Sequence, residues 1–113
     1  MLLLSIAAGG FAGAVARYWL TQRRGPATFP WAVFCVNVTG AFALGLLAGL
    51  PNLASAIRTP LGAGFLGAYT TFSTWMVDTL RLPARQAVAN LTLSTVAGLA
   101  AAAAGLALGR WLG

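Results

Sequence analysis

The chain has 113 residues, 59% of them hydrophobic and only 7% charged, with a mean hydropathy of +0.84; a soluble domain carries about a quarter charged residues, so an integral membrane protein is expected. The net charge of +6 comes from arginines and a single acid; the arginines lie scattered between apolar blocks, which points to lipid headgroups and topology and to no nucleic acid. One cysteine, Cys35, excludes an internal disulfide, and the absence of histidine excludes histidine-based metal sites and general bases.

Leu2 to about Leu20 is the first expected span. About nineteen residues at ~1.5 Å each give about 28 Å, close to the ~30 Å hydrocarbon core. The amino terminus lacks a basic n-region and its apolar run exceeds signal-peptide length, so it is read as a retained span. Gly9 and Gly13, flanked by Gly10 and Ala14, form a GxxxG pair that lets helix backbones approach closely. Arg17-Tyr18-Trp19 closes the span. Two readings stay open: an interfacial anchor with a snorkelling arginine, or an Arg17 that raises the potential of an aqueous vestibule and draws anions in.

A polar loop is expected over 21–29, with a charged turn at Arg23-Arg24-Gly25-Pro26. Pro30 opens the second span, where proline costs no helical hydrogen bond, and the span runs to about Leu50. Asn37 lies in its first third, followed by Thr39-Gly40. An asparagine in a span is either interhelical glue or a donor to an anion. Gly45 and Gly49 repeat the small-residue spacing. A loop over 51–59 carries Arg58, and Pro60 is expected to start the third span, which reaches about Leu80.

That third span holds the stretch with the most chemistry. Tyr69, Thr70, Thr71, Ser73 and Thr74 bear hydroxyls, Phe72 and Trp75 bear rings, and Asp78 is the only acid in the chain. Polar groups at membrane depth must face protein, water or an ion. Glycines at 62, 64 and 67 remove helix propensity at about 1 kcal/mol each, so the helix is expected to be broken or unwound near Gly67–Thr71. Freed carbonyls there would form a hard, oxygen-lined cation site. The alternative is a continuous helix whose hydroxyls bond back to carbonyls one turn earlier.

After a short loop, 81–85, the last span runs from about Gln86 to Leu108. Asn90 and Ser94 share one face, while Thr92 and Thr95 point elsewhere. The alanine run after Leu99 and the Gly105/Gly109 pair make a smooth packing surface, and Arg110-Trp111 is a second interfacial anchor. Four such spans make one domain, too thin to enclose a pathway alone, so self-association is expected.

An enzyme is not supported: Asp78 alone cannot do paired acid–base work, and no nucleotide motif is present. A proton-coupled exporter needs an acid in mid-span, whereas Asp78 lies near the end of its own. An anion pathway fits better. Asn37, Asn90, Ser73, Thr74 and Ser94 supply neutral donors, and the positive edge of the Phe72 ring can replace part of a hydration shell without the full charge that would hold an ion too tightly. Phe72 and Trp75 are three apart, so their rings are expected to stack along one face; taken by itself, such a pair is more often core packing.

Three stretches together resemble the Fluc (CrcB) fluoride channel family: Gly9-Gly10-Phe11-Ala12-Gly13-Ala14-Val15-Ala16-Arg17-Tyr18, then Val36-Asn37-Val38-Thr39-Gly40-Ala41-Phe42-Ala43-Leu44-Gly45, then Gly64-Phe65-Leu66-Gly67-Ala68-Tyr69-Thr70-Thr71-Phe72-Ser73-Thr74. Asn90 with Ser94 and Gly98 is a weaker match. The resemblance implies an all-α membrane protein of four transmembrane helices (about 2–20, 30–50, 60–80 and 86–108), the third broken near its middle, assembling as an antiparallel dimer with two fluoride pores in a bacterial inner membrane. It implies a structural sodium ion at the dimer centre, held by the backbone carbonyls of Gly67 and Thr70. It implies a pore lined by Asn37, Phe72, Ser73, Thr74 and Ser94, with Trp75 where the family has a second phenylalanine, Arg17 in the vestibule, and Asp78 where the family has glutamate.

The arginine count by side leans towards termini outside. The partner is therefore either a second, inverted copy of the chain or an oppositely oriented paralogous subunit. The function expected is passive export of cytoplasmic fluoride; the alternatives are a small dual-topology transporter of another anion or a cationic drug, and a purely structural membrane subunit.

Overall fold

A backbone in lipid must satisfy its own hydrogen bonds, so long apolar runs fold as helices. In the computed structural model, which describes residues 2–22 and 30–113, these runs become α1 (Leu2–Gln22), α2 (Trp31–Gly49) and α6 (Ala84–Leu112). All three are long and apolar enough to cross a membrane, by length and composition. Between α2 and α6 lie the shorter α3 (Ser55–Thr59), a π-helical segment (Pro60–Leu66), α4 (Gly67–Tyr69) and α5 (Ser73–Arg81). The charged turn expected at Arg23-Arg24-Gly25-Pro26 lies outside the described residues.

Pro30 precedes the first residue of α2, and its carbonyl accepts the Phe34 N–H at 3.1 Å. Pro60 behaves differently from expectation. The loop expected over 51–59 is already helical from Ser55, so Pro60 falls inside a helical run rather than at its start. A proline there withholds one N–H and crowds the preceding turn, and the backbone widens to the π form over the next turn. Arg58, read from sequence as a loop charge, donates from Nη2 to the carbonyl of Leu50. It thereby caps the end of α2, where a cation also meets the negative end of the helix dipole.

Gly67–Tyr69 is helical, where the sequence suggested unwinding. Thr70 then turns extended, with φ −77° and ψ 156°, and α5 starts at Ser73. The helix α6 outruns its expected limits of 86–108 at both ends. Its 29 residues span about 44 Å at ~1.5 Å each, so its ends, with Arg85 and Arg110, reach past an apolar layer of ~30 Å.

Two tight helix pairs organise the chain. In one, α1 lies against the π-helical segment: a Cβ at Gly9 would overlap the Pro60 carbonyl oxygen, one at Gly13 the Phe65 carbonyl oxygen, and one at Gly64 would come within 2.8 Å of the Ile6 carbonyl oxygen. In the other, α2 lies against α6, with Gly45 on the Ala102 carbonyl, Gly105 on the Phe42 carbonyl, Gly49 on the Leu106 carbonyl and Gly109 on the Leu46 carbonyl. The Gly9/Gly13, Gly45/Gly49 and Gly105/Gly109 pairs are therefore all backbone-to-backbone contacts, the geometry that small residues permit in membranes.

Among the described residues only Val33, Val36 and Leu66 are buried hydrophobics, while Phe11, Leu80, Val96, Leu99 and many others are exposed. The molecule measures 45 × 30 × 18 Å along its principal axes. A helix set that is apolar on nearly all sides belongs in lipid or against another apolar surface; the protein is membrane-embedded.

The glycine contacts carry a direct test. Gly45→Ala and Gly105→Ala should each lower the thermal midpoint in detergent, by the equivalent of about 1–3 kcal/mol of overpacking. Gly98→Ala, where an added Cβ meets nothing within 4 Å, should be neutral or stabilising through helix propensity. Equal midpoints for all three variants would show that α2 and α6 do not depend on this close approach.

Candidate functional site

The Thr70–Phe72 connection leaves backbone groups without helical partners, and one side chain takes up two of them. The Thr71 N–H donates to Asn37 Oδ1 at 2.8 Å, and Asn37 Nδ2 donates to the Thr71 carbonyl at 3.0 Å. Because an N–H must face an oxygen, this pairing fixes which way the Asn37 amide points. Thr71 is itself 8% exposed, and its hydroxyl oxygen accepts the Thr74 N–H at 3.2 Å, which is the N-capping bond of α5. In an unbroken helix, the Thr71 N–H would serve the Gly67 carbonyl and the Thr74 N–H the Thr70 carbonyl. Both are diverted to side chains.

The approach to the connection is equally built. Thr70 donates its hydroxyl to the Leu66 carbonyl at 3.0 Å, a carbonyl that also accepts the Thr70 N–H at 3.1 Å. Gly40 makes room for it: a Cβ there would overlap the Thr70 methyl and sit 3.3 Å from the Tyr69 ring. Thr39 gives its hydroxyl proton to the Cys35 carbonyl at 2.7 Å, so the Tyr69 hydroxyl, 3.0 Å away, is the donor between the two. The Phe65 and Tyr69 rings stack at 5.7 Å and 15°. Thus α2 grips the end of α4 through Asn37, Thr39 and Gly40.

Phe72 and Trp75 meet at 5.7 Å with their planes at 73°. This corrects the expected stacking: an edge-to-face pair suits two ring quadrupoles better than a face-to-face one. Phe72 is 65% exposed. Trp75 is half-buried, and its indole Nε1 is enclosed with no hydrogen-bond partner among the described residues.

A second polar chain ties α5 to α6. The Thr79 hydroxyl donates to the Trp75 carbonyl at 2.7 Å, Asn90 Nδ2 donates to Thr79 Oγ1 at 2.8 Å, and Ser94 donates to Asn90 Oδ1 at 3.2 Å. Asn90 has no exposed surface and Thr79 only 6%.

Of the residues singled out from sequence, Asn37 and Thr74 are joined through Thr71, Phe72 and Trp75 are in ring contact, and Ser94 reaches the Trp75 carbonyl through Asn90 and Thr79. Ser73 is exposed at the first turn of α5 and lies outside these bonds. Arg17 is half-buried near the end of α1, where its carbonyl accepts the Thr21 hydroxyl at 2.7 Å. Gly67 is exposed and Thr70 half-buried. Sequence reasoning passed over Thr71 as the hub and Thr79 as the link. A threonine just ahead of a helix start is a capping signal, but nothing local distinguishes Thr79 from any other threonine bonding back one turn.

Comparison with known proteins places this architecture. The model of the family described as CrcB-like protein, Camphor Resistance (CrcB), matches residues 4–106. The chain is 49% identical over 116 aligned positions to Fluoride-specific ion channel FluC 1 of Symbiobacterium thermophilum, covering 92% of this chain and 94% of the relative. It is 47% identical over 112 positions to Fluoride-specific ion channel FluC 2 of Mycobacterium tuberculosis, with 91% and 83% covered. It is 40% identical over 118 positions to Fluoride-specific ion channel FluC 1 of Rubrobacter xylanophilus, with 97% and 94% covered. With α2, the π-helical segment and the polar connection at Thr70–Phe72 all inside the matched region, the chain belongs to the CrcB family.

Proposed function

We propose that this chain is a fluoride-specific ion channel through which cytoplasmic fluoride leaves passively, down its gradient. Relatives bearing that name align with nearly its whole length. The observation that carries the reading to particular atoms is the Asn37–Thr71 pair, which fixes the connection leading directly into the Phe72–Trp75 ring pair. It is not an enzyme.

In this reading the pathway is lined by Asn37, Phe72, Trp75, Ser73, Thr74 and Ser94. Asn37 commits one Nδ2 hydrogen to Thr71 and keeps the second for an anion. The Phe72 ring edge replaces part of the ion's hydration shell, and because no donor in the set is charged, the ion is held weakly enough to leave. Arg17 enriches anions at the entrance. Phe72 is largely exposed on the single chain, so its pathway is completed by a partner surface. We assign that partner as a second, antiparallel copy of this chain, or else an oppositely oriented paralogous subunit. The Thr70–Phe72 connection is then the break in the third of four spans.

The same connection suits a sodium ion. The Gly67 and Thr70 carbonyls have lost their usual helical donors to Asn37 and Thr71, and carbonyl oxygens are the ligands a hard cation takes. A sodium ion held by these carbonyls would satisfy their lone pairs and fix the connection.

Proteoliposomes holding this chain alone should release fluoride, read with a fluoride electrode, without a proton gradient; release that needs such a gradient would indicate a transporter, and no release a structural subunit or an obligate heterodimer. Phe72→Leu should reduce efflux to background while the dimer persists on size exclusion, and undiminished efflux would count against the ring-edge mechanism. Replacing sodium by a large organic cation should lower the thermal midpoint of the dimer, since a ligand that binds only the folded state stabilises it; a midpoint indifferent to sodium would remove the cation site.

A further inference from the structure

We propose that Asn90 is a positioning residue that sets the direction of the Ser94 hydroxyl proton and thereby tunes how tightly the pathway holds its anion. The inference rests on the fluoride-channel reading, in which Ser94 faces the ion.

The argument counts protons. A hydroxyl has one hydrogen. Thr79 gives its hydrogen to the Trp75 carbonyl at 2.7 Å, so towards Asn90 it offers only lone pairs. The Asn90 atom 2.8 Å from Thr79 must therefore be the Nδ2 donor, which turns Oδ1 towards Ser94. Oδ1 can only accept, so the Ser94 hydrogen, 3.2 Å distant, points at Asn90. In this arrangement Ser94 presents lone pairs, not a donor, to anything else that approaches it, and lone pairs repel an anion.

Ser94 can serve an anion only by releasing Asn90. That leaves the Asn90 Oδ1 without its donor in a residue that has no exposed surface, where an unmet acceptor is costly. The bond to be broken is long, since O–H···O bonds cluster near ~2.7–2.8 Å, so it is weak enough to yield. Anion and Asn90 thus compete for one proton. Each arriving ion captures it and each departing ion returns it, so the site binds more loosely than its donor count implies. Conduction needs that looseness. Asn90 does this without touching the ion.

The test is a mutant cycle read as the fluoride concentration giving half-maximal initial efflux from proteoliposomes. Asn90→Ala removes the competing acceptor and should lower that concentration about two- to tenfold, the worth of one intramolecular hydrogen bond. Thr79→Val keeps the volume but frees the amide to turn its Nδ2 towards Ser94, and should shift it in the same direction. In a Ser94→Ala background neither change should have any effect. An unshifted value in properly assembled Asn90→Ala and Thr79→Val dimers, or the same shift with Ser94 absent, would overturn the proposal. Failure of both variants to assemble would also overturn it, by showing the network to be purely structural. Absence of fluoride release from the unaltered protein would instead overturn the channel reading and this inference with it, whereas release with an additive cycle overturns this inference alone.

Discussion

The paired hydrogen bonds between the Asn37 carboxamide and both main-chain groups of Thr71 are what the rest of this structure depends on. A helix that stops inside an apolar layer exposes donors and acceptors that lipid cannot satisfy, each costing several kcal/mol. One side chain from α2 meets two of those needs at once. It can do so because an amide has a donor and an acceptor side by side, as a peptide does. No other side chain on this stretch of α2 has that geometry. Thr39 can only trade its hydroxyl, and it is already committed to its own helix.

The Asn37 bond works only if α2 and the third segment are held at a fixed distance, and the glycines do that. Gly40 lets the Thr70 methyl and the Tyr69 ring settle onto α2, while Gly45, Gly49, Gly105 and Gly109 bring α6 against the other stretch of the same helix. Thus α2 is the shared axis of the fold. Backbone oxygens, rather than interlocking side chains, define its contacts. That is why so few hydrophobic residues are buried: in lipid, covering apolar surface gains little, and close approach of small residues is what associates helices.

The long apolar runs and their glycine pairs were legible because both signals are local: α1, α2 and α6 follow from hydropathy and length, and the GxxxG spacings mark the faces that touch. Pro60 was misread because proline at a helix start and proline inside a helical run have the same local composition; only the helical turn at Ser55, which the sequence marks with no apolar period, decides between them. Asn37 stood between glue and ligand for another reason. Its meaning is set by Thr71, which is distant in the chain, and spacing carries no information on that pairing. The edge-to-face meeting of Phe72 and Trp75 is likewise not encoded in their spacing of three. What the sequence left open is therefore one quantity, the backbone path at Thr70–Phe72, expressed at several residues.

That path also explains why the polar residues split into two groups rather than forming one continuous track. The backbone of Thr71 is bound to Asn37 of α2, and the hydroxyl of Thr79 is bound to Asn90 of α6, with Phe72 and Trp75 between Thr71 and Thr79 in the chain. Each group closes on itself. Thr71 answers to Asn37 and Thr74, and Thr79 answers to Trp75 and Asn90. In the channel reading, a small anion would meet neutral donors and ring edges, and several of those donors, Ser94 among them, are already engaged by the protein. In that reading a donor such as Ser94 would be partly borrowed, which limits how long an ion stays. Adding a free cationic side chain between the two groups would remove that limit, which gives a physical reason for Arg17, Arg81, Arg85 and Arg110 to sit near the ends of their helices.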